Sequence, residues 1–226
     1  MDGRLGSRCL RAFILVLLLM VLPAALQAST INLMSLGTAL DADQTNNAGG
    51  PGTATVAIPP NPSWAAALPG SLWVSFTQTG NPSSPGYSVL SNGTIVDFAD
   101  SFFLPNGSYT GTISVMADDS AAVILNGVLL MAEASSSGNT YATCSDFAIG
   151  CLPSTAATID LASALKPGLN TLDFLLAQRA GASFGLDYGG AITVSDDAVP
   201  EPASLLLLGS GLLFGAGWWK HSSRSR

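Results

Sequence analysis

Between residues 53 and 194 the chain alternates short apolar runs with clusters of Gly, Pro, Asn, Asp and Ser. Residues 109–117 show the pattern best, with Ile113 and Val115 on one face of a predicted strand. Residues 122–125 and 128–131 predict two more strands. Asn126-Gly127 between them suits a tight hairpin, whose turn needs positive φ. Upstream, residues 53–58 predict a strand stopped by Pro59-Pro60, and residues 72–77 alternate as a half-buried strand. Residues 93–103 return to strand, with Ile95, Phe98, Phe102 and Phe103 toward the core. Downstream, strands are expected at 155–161, 171–176, 184–188 and 191–194. Asp118-Asp119-Ser120 reads as a turn, residues 46–52 as a loop, and residues 29–47 as weakly patterned. Many short strands between turn signals, without a fixed-period repeat, predict an all-β fold of the β-sandwich kind.

Both ends depart from this pattern. Residues 203–219 are uncharged, and as a helix would span roughly 26 Å at about 1.5 Å per residue, the short end of what crosses a bilayer core. Trp218 and Trp219 stand where an interfacial anchor belongs. Lys220, Arg224 and Arg226 follow, while Asp196, Asp197 and Glu201 precede the run. That asymmetry puts the C-terminus in the cytoplasm and the preceding domain outside. Gly209, Gly211 and Gly215 would weaken a soluble helix but are common in membrane helices. At the other end, Arg4, Arg8 and Arg11 precede an apolar run at 12–22, and Ala28 offers a cleavage point. The expected organisation is a signal helix at 1–28, an exported β-sandwich at 29–198, and a tail at 199–226 with a transmembrane helix at about 203–219.

The exported part holds two basic residues, Lys166 and Arg179, against thirteen acidic ones, a net charge of −11. A surface so acidic repels a phosphate backbone and excludes nucleic acid as a partner. The one histidine, His221, lies in the tail, so Ser-His and Cys-His nucleophile pairs are unavailable to the domain. Its single glutamate, Glu133, and unpatterned aspartates make a poor glycosidase pair. Cys144 and Cys151 would meet an oxidising compartment after export, where a disulfide is the default.

Pro200-Glu201-Pro202, a short apolar span and a basic end, in that order, resemble the PEP-CTERM sorting signal of Gram-negative bacteria. The resemblance implies processing by an exosortase-type enzyme, transient anchoring in the inner membrane, and delivery to the cell surface or extracellular matrix. Residues 94–194 carry a second resemblance. Ala117-Asp118-Asp119-Ser120, Val123-Ile124-Leu125-Asn126-Gly127 and the run from Leu165 to Phe174 are similar to galactose-binding-like jelly rolls and to PA14 sugar-binding modules. In some PA14 lectins paired aspartates hold a calcium that coordinates a sugar, and Asp118 and Asp119 match that pair.

Two adjacent carboxylates with nearby carbonyls, joined by Asp97, Asp100 or Asp187, could begin a calcium site. Turn chemistry alone also accounts for Asp118-Asp119-Ser120, as a polar turn between strands. Asp118, Asp119, Asn126 and Arg179 are the candidate ligand-binding residues, Arg179 also reading as half of a structural ion pair. Trp64, Trp73, Tyr87, Tyr109, Tyr141 and Tyr188 are candidates for sugar stacking or for packing. The expected function is a non-enzymatic, surface-anchored protein that binds or organises extracellular polysaccharide. A purely structural matrix component is the alternative, and a carbohydrate-active enzyme stands third.

Overall fold

The computed structural model describes residues 28–195, which form two six-stranded sheets. The first runs β10 (Ala157–Asp160), β7 (Ser108–Asp118), β12 (Gly185–Ser195), β5 (Val74–Ser75), β4 (Val56–Ala57), with β1 (Ala28–Met34) also paired along β12. The second runs β3 (Thr53–Ala54), β2 (Thr45–Asn46), β6 (Ile95–Leu104), β11 (Gly168–Ala177), β8 (Ser120–Leu125), β9 (Val128–Met131). Every named pairing is antiparallel. Alternate residues of the long strands meet in one core: Val96, Phe98 and Leu104 from β6, Ile113 and Val115 from β7, Leu172, Phe174 and Leu176 from β11, Leu186 and Ile192 from β12. Each such side chain contributes about 1.5–3 kcal/mol by leaving water. Phe174 of the second sheet stacks on Tyr188 of the first, ring centroids 4.5 Å apart.

The all-β, two-sheet architecture agrees with the sequence pattern, but several boundaries differ. Asp118-Asp119-Ser120 is not a hairpin turn: β7 and β8 lie in different sheets, so the stretch is a crossover between them. The strand expected over 53–58 splits at Thr55, β3 pairing in the second sheet and β4 in the first. The expected alternation over 72–77 fails because Trp73, Val74 and Ser75 are all buried, packed on both faces. Phe103 and Ile95, expected in the core, are exposed on the outer face of β6. The strands expected at 184–188 and 191–194 are one strand, β12, running unbroken through Gly189-Gly190. A Cβ on Gly190 would lie 2.1 Å from the Thr112 carbonyl oxygen, so this glycine permits close strand approach. Residues 28–34, weakly patterned, become β1 through pairing with β12.

A second, smaller core covers the outer face of the first sheet. Ile58, Trp64, Trp73 and Met116 pack there with Cys144 and Cys151. The two cysteines are disulfide-bonded, Cα atoms 5.6 Å apart, and the Ala65 N–H donates to the Cys151 carbonyl at 2.9 Å, lacing the two covering loops together.

The strands give the domain two distinct ends. Ser195 pairs with Ser108 at one end of β7–β12, and Gly185 pairs with Asp118 at the other, roughly 34 Å away along eleven-residue strands at about 3.4 Å per residue. Among the described residues no helix is long and apolar enough to cross a membrane. The expected signal helix before residue 28 and the expected transmembrane helix at 203–219 lie outside the described residues.

Candidate functional site

Asp118 closes β7 directly beneath the loop that carries Trp64. The Trp64 indole N–H donates to Asp118 Oδ2 at 2.6 Å, and the ring itself lies against Trp73, centroids 4.3 Å apart. Gly185 lets the indole sit this low, since a Cβ there would come within 2.8 Å of it. Asp119, next along the crossover, is buried as well. Its Oδ2 accepts the backbone N–H groups of Arg179 at 2.6 Å and Ala180 at 3.0 Å, and its carbonyl accepts the Ser145 N–H at 2.9 Å.

These partners leave the pair electrostatically uneven. Burial pushes the Asp118 carboxyl well above the usual carboxylate range. The Asp119 charge and a hydrogen bond between the two carboxyls push the same way, and only the Trp64 N–H opposes them.

Above the pair opens a cleft of about 140 Å³ lined by Asn61, Ser63, Trp64, Asp118, Asp119, Tyr141 and Ser183 among others. Asn61 donates from Nδ2 to Ser183 Oγ at 2.8 Å, and the Tyr141 hydroxyl donates to the Ala134 carbonyl at 2.7 Å. Tyr141 and Cys144, both at the cleft, hold positive φ (50° and 74°), a region costly for residues other than glycine. The wall therefore combines aromatic edges with carboxyl, amide and hydroxyl groups.

Of the residues singled out in the sequence, Asp118, Asp119 and Arg179 come together, though Arg179 does so through its backbone. Its guanidinium turns away to Glu133 in a bidentate pair, Nε to Oε1 2.6 Å and Nη2 to Oε2 2.5 Å. Asn126 does not join them. It sits at the opposite end of β8, where its Nδ2 donates to the Ala164 carbonyl and Asn170 Oδ1 and its Oδ1 accepts the Thr171 N–H. Asp187 is held by Ser35, Ser71 and the Leu68 N–H, and Asp100 by the Tyr188 hydroxyl at 2.8 Å. Asp97 lies on the outer face of β6, so none of the three reinforces Asp118 and Asp119. Among the described residues no three His, Cys, Asp or Glu side chains converge to hold a metal ion. Trp73, Tyr188, Trp64 and Tyr141 are all buried, and Trp64 and Tyr141 also line the cleft. Asn61, Ser63 and Ser183 were not anticipated. The local signal that could have pointed to the first two is the Asn61-Pro62 dipeptide, a turn former, and Asn61 Oδ1 accepts the Ser63 N–H at 2.9 Å.

Outside the described residues, 198–220 match the PEP-CTERM protein-sorting motif, a range that includes Pro200, Glu201 and Pro202. The chain carries a PEP-CTERM sorting signal. The signal implies export, processing by an exosortase and a cell-surface destination. No curated protein matches this chain in sequence. Among solved structures it is similar to a family 35 carbohydrate binding module from Clostridium thermocellum, at 12% identity and TM-score 0.37 over 71% of this chain and 97% of that one. It is also similar to the K1 cleaved adhesin domain of Lys-gingipain from Porphyromonas gingivalis W83, at 15% identity and TM-score 0.39 over 75% and 99%. A rhamnosidase from Novosphingobium sp. PP1Y matches at 14% identity and TM-score 0.27 over 43% of this chain and 11% of that one. Likeness this low transfers neither a ligand nor a site residue.

Proposed function

We propose that the protein is an exported, non-enzymatic, jelly-roll-like β-sandwich that binds or organises a neutral extracellular polysaccharide at the cleft beside Asp118 and Asp119. The cleft carries this reading. Sugar rings present apolar CH faces and dense hydroxyls, and the Trp64 and Tyr141 edges beside Asn61, Ser63, Asp118 and Ser183 offer partners for both. The acidic exterior favours neutral over anionic polymers. In this reading residues 203–219 hold the protein transiently in the inner membrane with its C-terminus in the cytoplasm, and an exosortase then frees it for the surface or matrix. A glycan array probed with the purified full chain tests the binding. Specific signal lost in Asp118→Asn supports it, and no signal, or equal signal from the variant, sinks it. Surface exposure should be lost on deleting residues 199–226.

A second reading, a matrix component without a ligand site, is favoured by one observation: Asp118 and Asp119 each already accept protein hydrogen bonds. Calcium distinguishes the two. Burial keeps the Asp118 carboxyl above the usual carboxylate range, and a calcium ion bound there favours its ionised form, so calorimetry of calcium into the full chain should show proton release. The release should vanish in Asp118→Ala/Asp119→Ala. An enzymatic reading is weakest, because Glu133, the domain's one glutamate, is committed to Arg179.

A further inference from the structure

We propose that the end of the sandwich opposite the cleft rests on the membrane surface, with Phe103 and Leu169 as its central contact pair. Phe103 and Leu169 are register partners on the outer face of β6 and β11, and they are 68% and 63% exposed. Val128 and Leu129 of the neighbouring β8–β9 hairpin are 49% and 58% exposed. Leu40, Leu72, Val89, Ile95 and Phe147 are exposed elsewhere on the domain, but only at this end do four large apolar side chains fall on neighbouring strands, and such a contiguous patch marks a docking surface.

Two observations select lipid as the occupant. The first is connectivity, and it rests on the anchored reading given above. Ser195 pairs with Ser108, immediately after the β6–β7 turn and five residues beyond Phe103, so the chain leaves the sandwich at this end. Only seven residues separate Ser195 from the uncharged run beginning at Ala203, which extended cover at most about 25 Å. A transmembrane segment there keeps this end close to the bilayer. The second is charge. Residues 102–109, 126–131 and 161–170, which build this end, contain no Asp or Glu and one cation, Lys166, with exposed Asp160 at the border accepting the Ala162 N–H at 2.9 Å, whereas Asp118, Asp119, Glu133 and the Glu133-bound Arg179 gather at the cleft end. Asp196, Asp197 and Glu201 belong to the connecting segment. An aromatic and aliphatic patch with a lysine close by suits the interfacial zone of a phospholipid leaflet. Docked so, the domain turns its cleft away from the membrane.

The test uses the full chain with Cys9→Ser, reconstituted into phosphatidylcholine/phosphatidylglycerol vesicles. A nitroxide is placed at Asn106→Cys, Ala182→Cys or Leu207→Cys, reporting the proposed contact, the cleft end and the span. Collision with oxygen against a water-soluble nickel complex reads each position as lipid-like or aqueous. Positions 106 and 207 should be lipid-like and 182 aqueous, and Phe103→Ser/Leu169→Ser should shift 106 to aqueous. A lipid-like 207 with an aqueous 106 overturns the docking while the anchor stands. An aqueous 207 overturns the anchored reading and the docking with it. Spin–spin broadening at 106 that grows with the protein-to-lipid ratio identifies a second copy as the occupant and overturns the proposal as well.

Discussion

The Trp64 indole N–H lies 2.6 Å from the Asp118 carboxylate, joining residues 54 positions apart in the chain. The bond ties the covering loop of the first sheet to the end of β7, and the same tryptophan both walls the cleft and satisfies its most deeply perturbed carboxyl. Packing and site chemistry thus share one side chain.

Trp64→Phe keeps most of the ring contact with Trp73 and removes the donor. Leaving Asp118 Oδ2 unpartnered should cost about 1–3 kcal/mol, read as a lower urea midpoint. Because the indole opposes the upward shift of Asp118, its loss raises that shift further. A carboxyl raised in the folded state stabilises while protonated, so the variant should lose stability more steeply as pH rises.

Asp100 offers a cleaner pH test. Burial first, with Asp41 and Asp43 adding, raises its carboxyl from 3.8 to about 6 against the opposing Tyr188 hydrogen bond. Its contribution is complete below pH 3.8 and disappears as pH rises through about 6. Asp100→Asn, which can still accept from Tyr188, should flatten the stability profile across that window by up to about 3 kcal/mol. Urea unfolding at successive pH values measures it, and a profile unchanged by the substitution would refute the assignment.

The Cys144–Cys151 bridge closes a short loop, sequence separation 7, within the small core beneath Trp64. Replacing both cysteines with serine should cost about 2.5 kcal/mol by the chain-entropy relation. Tryptophan fluorescence should report the loosening beside Trp64 and Trp73 before the main sheets unfold.

Adjacent glycines in β12 should behave oppositely. Gly190→Ala drives a methyl onto the Thr112 carbonyl at 2.1 Å and should destabilise by more than about 3 kcal/mol, beyond ordinary substitutions. At Gly189 the nearest atom is Leu68 Cβ at 3.4 Å, ordinary contact, so Gly189→Ala should stay within about 1 kcal/mol of the parent. Thermal melts of the two variants, measured side by side, decide it.

Strand legibility followed burial on one face. β7 and β11 were evident because each offers alternate side chains to a single core, β8 and β9 because short apolar runs flank Asn126-Gly127, and that turn has a local conformational cause, φ of 54° and 80°. β1 was not evident, since its first three residues are exposed and only pairing with β12 makes it a strand. Around Trp73 the second core covers the outer face, so alternation vanished where packing was two-sided.

Local chemistry determined the β class, the Asn126-Gly127 turn, the pairing of the two exported cysteines and the PEP-CTERM signal, because each depends on residues close in sequence. Only the tertiary structure decided that Asp118 and Asp119 cross between sheets, that Asn126 belongs to the far end of β8, and that Asn61, Ser63, Trp64, Tyr141 and Ser183 converge on one cleft. Those relations arise from sheet order and loop packing across separations such as the 122 residues between Asn61 and Ser183. No periodicity in the chain encodes such distances.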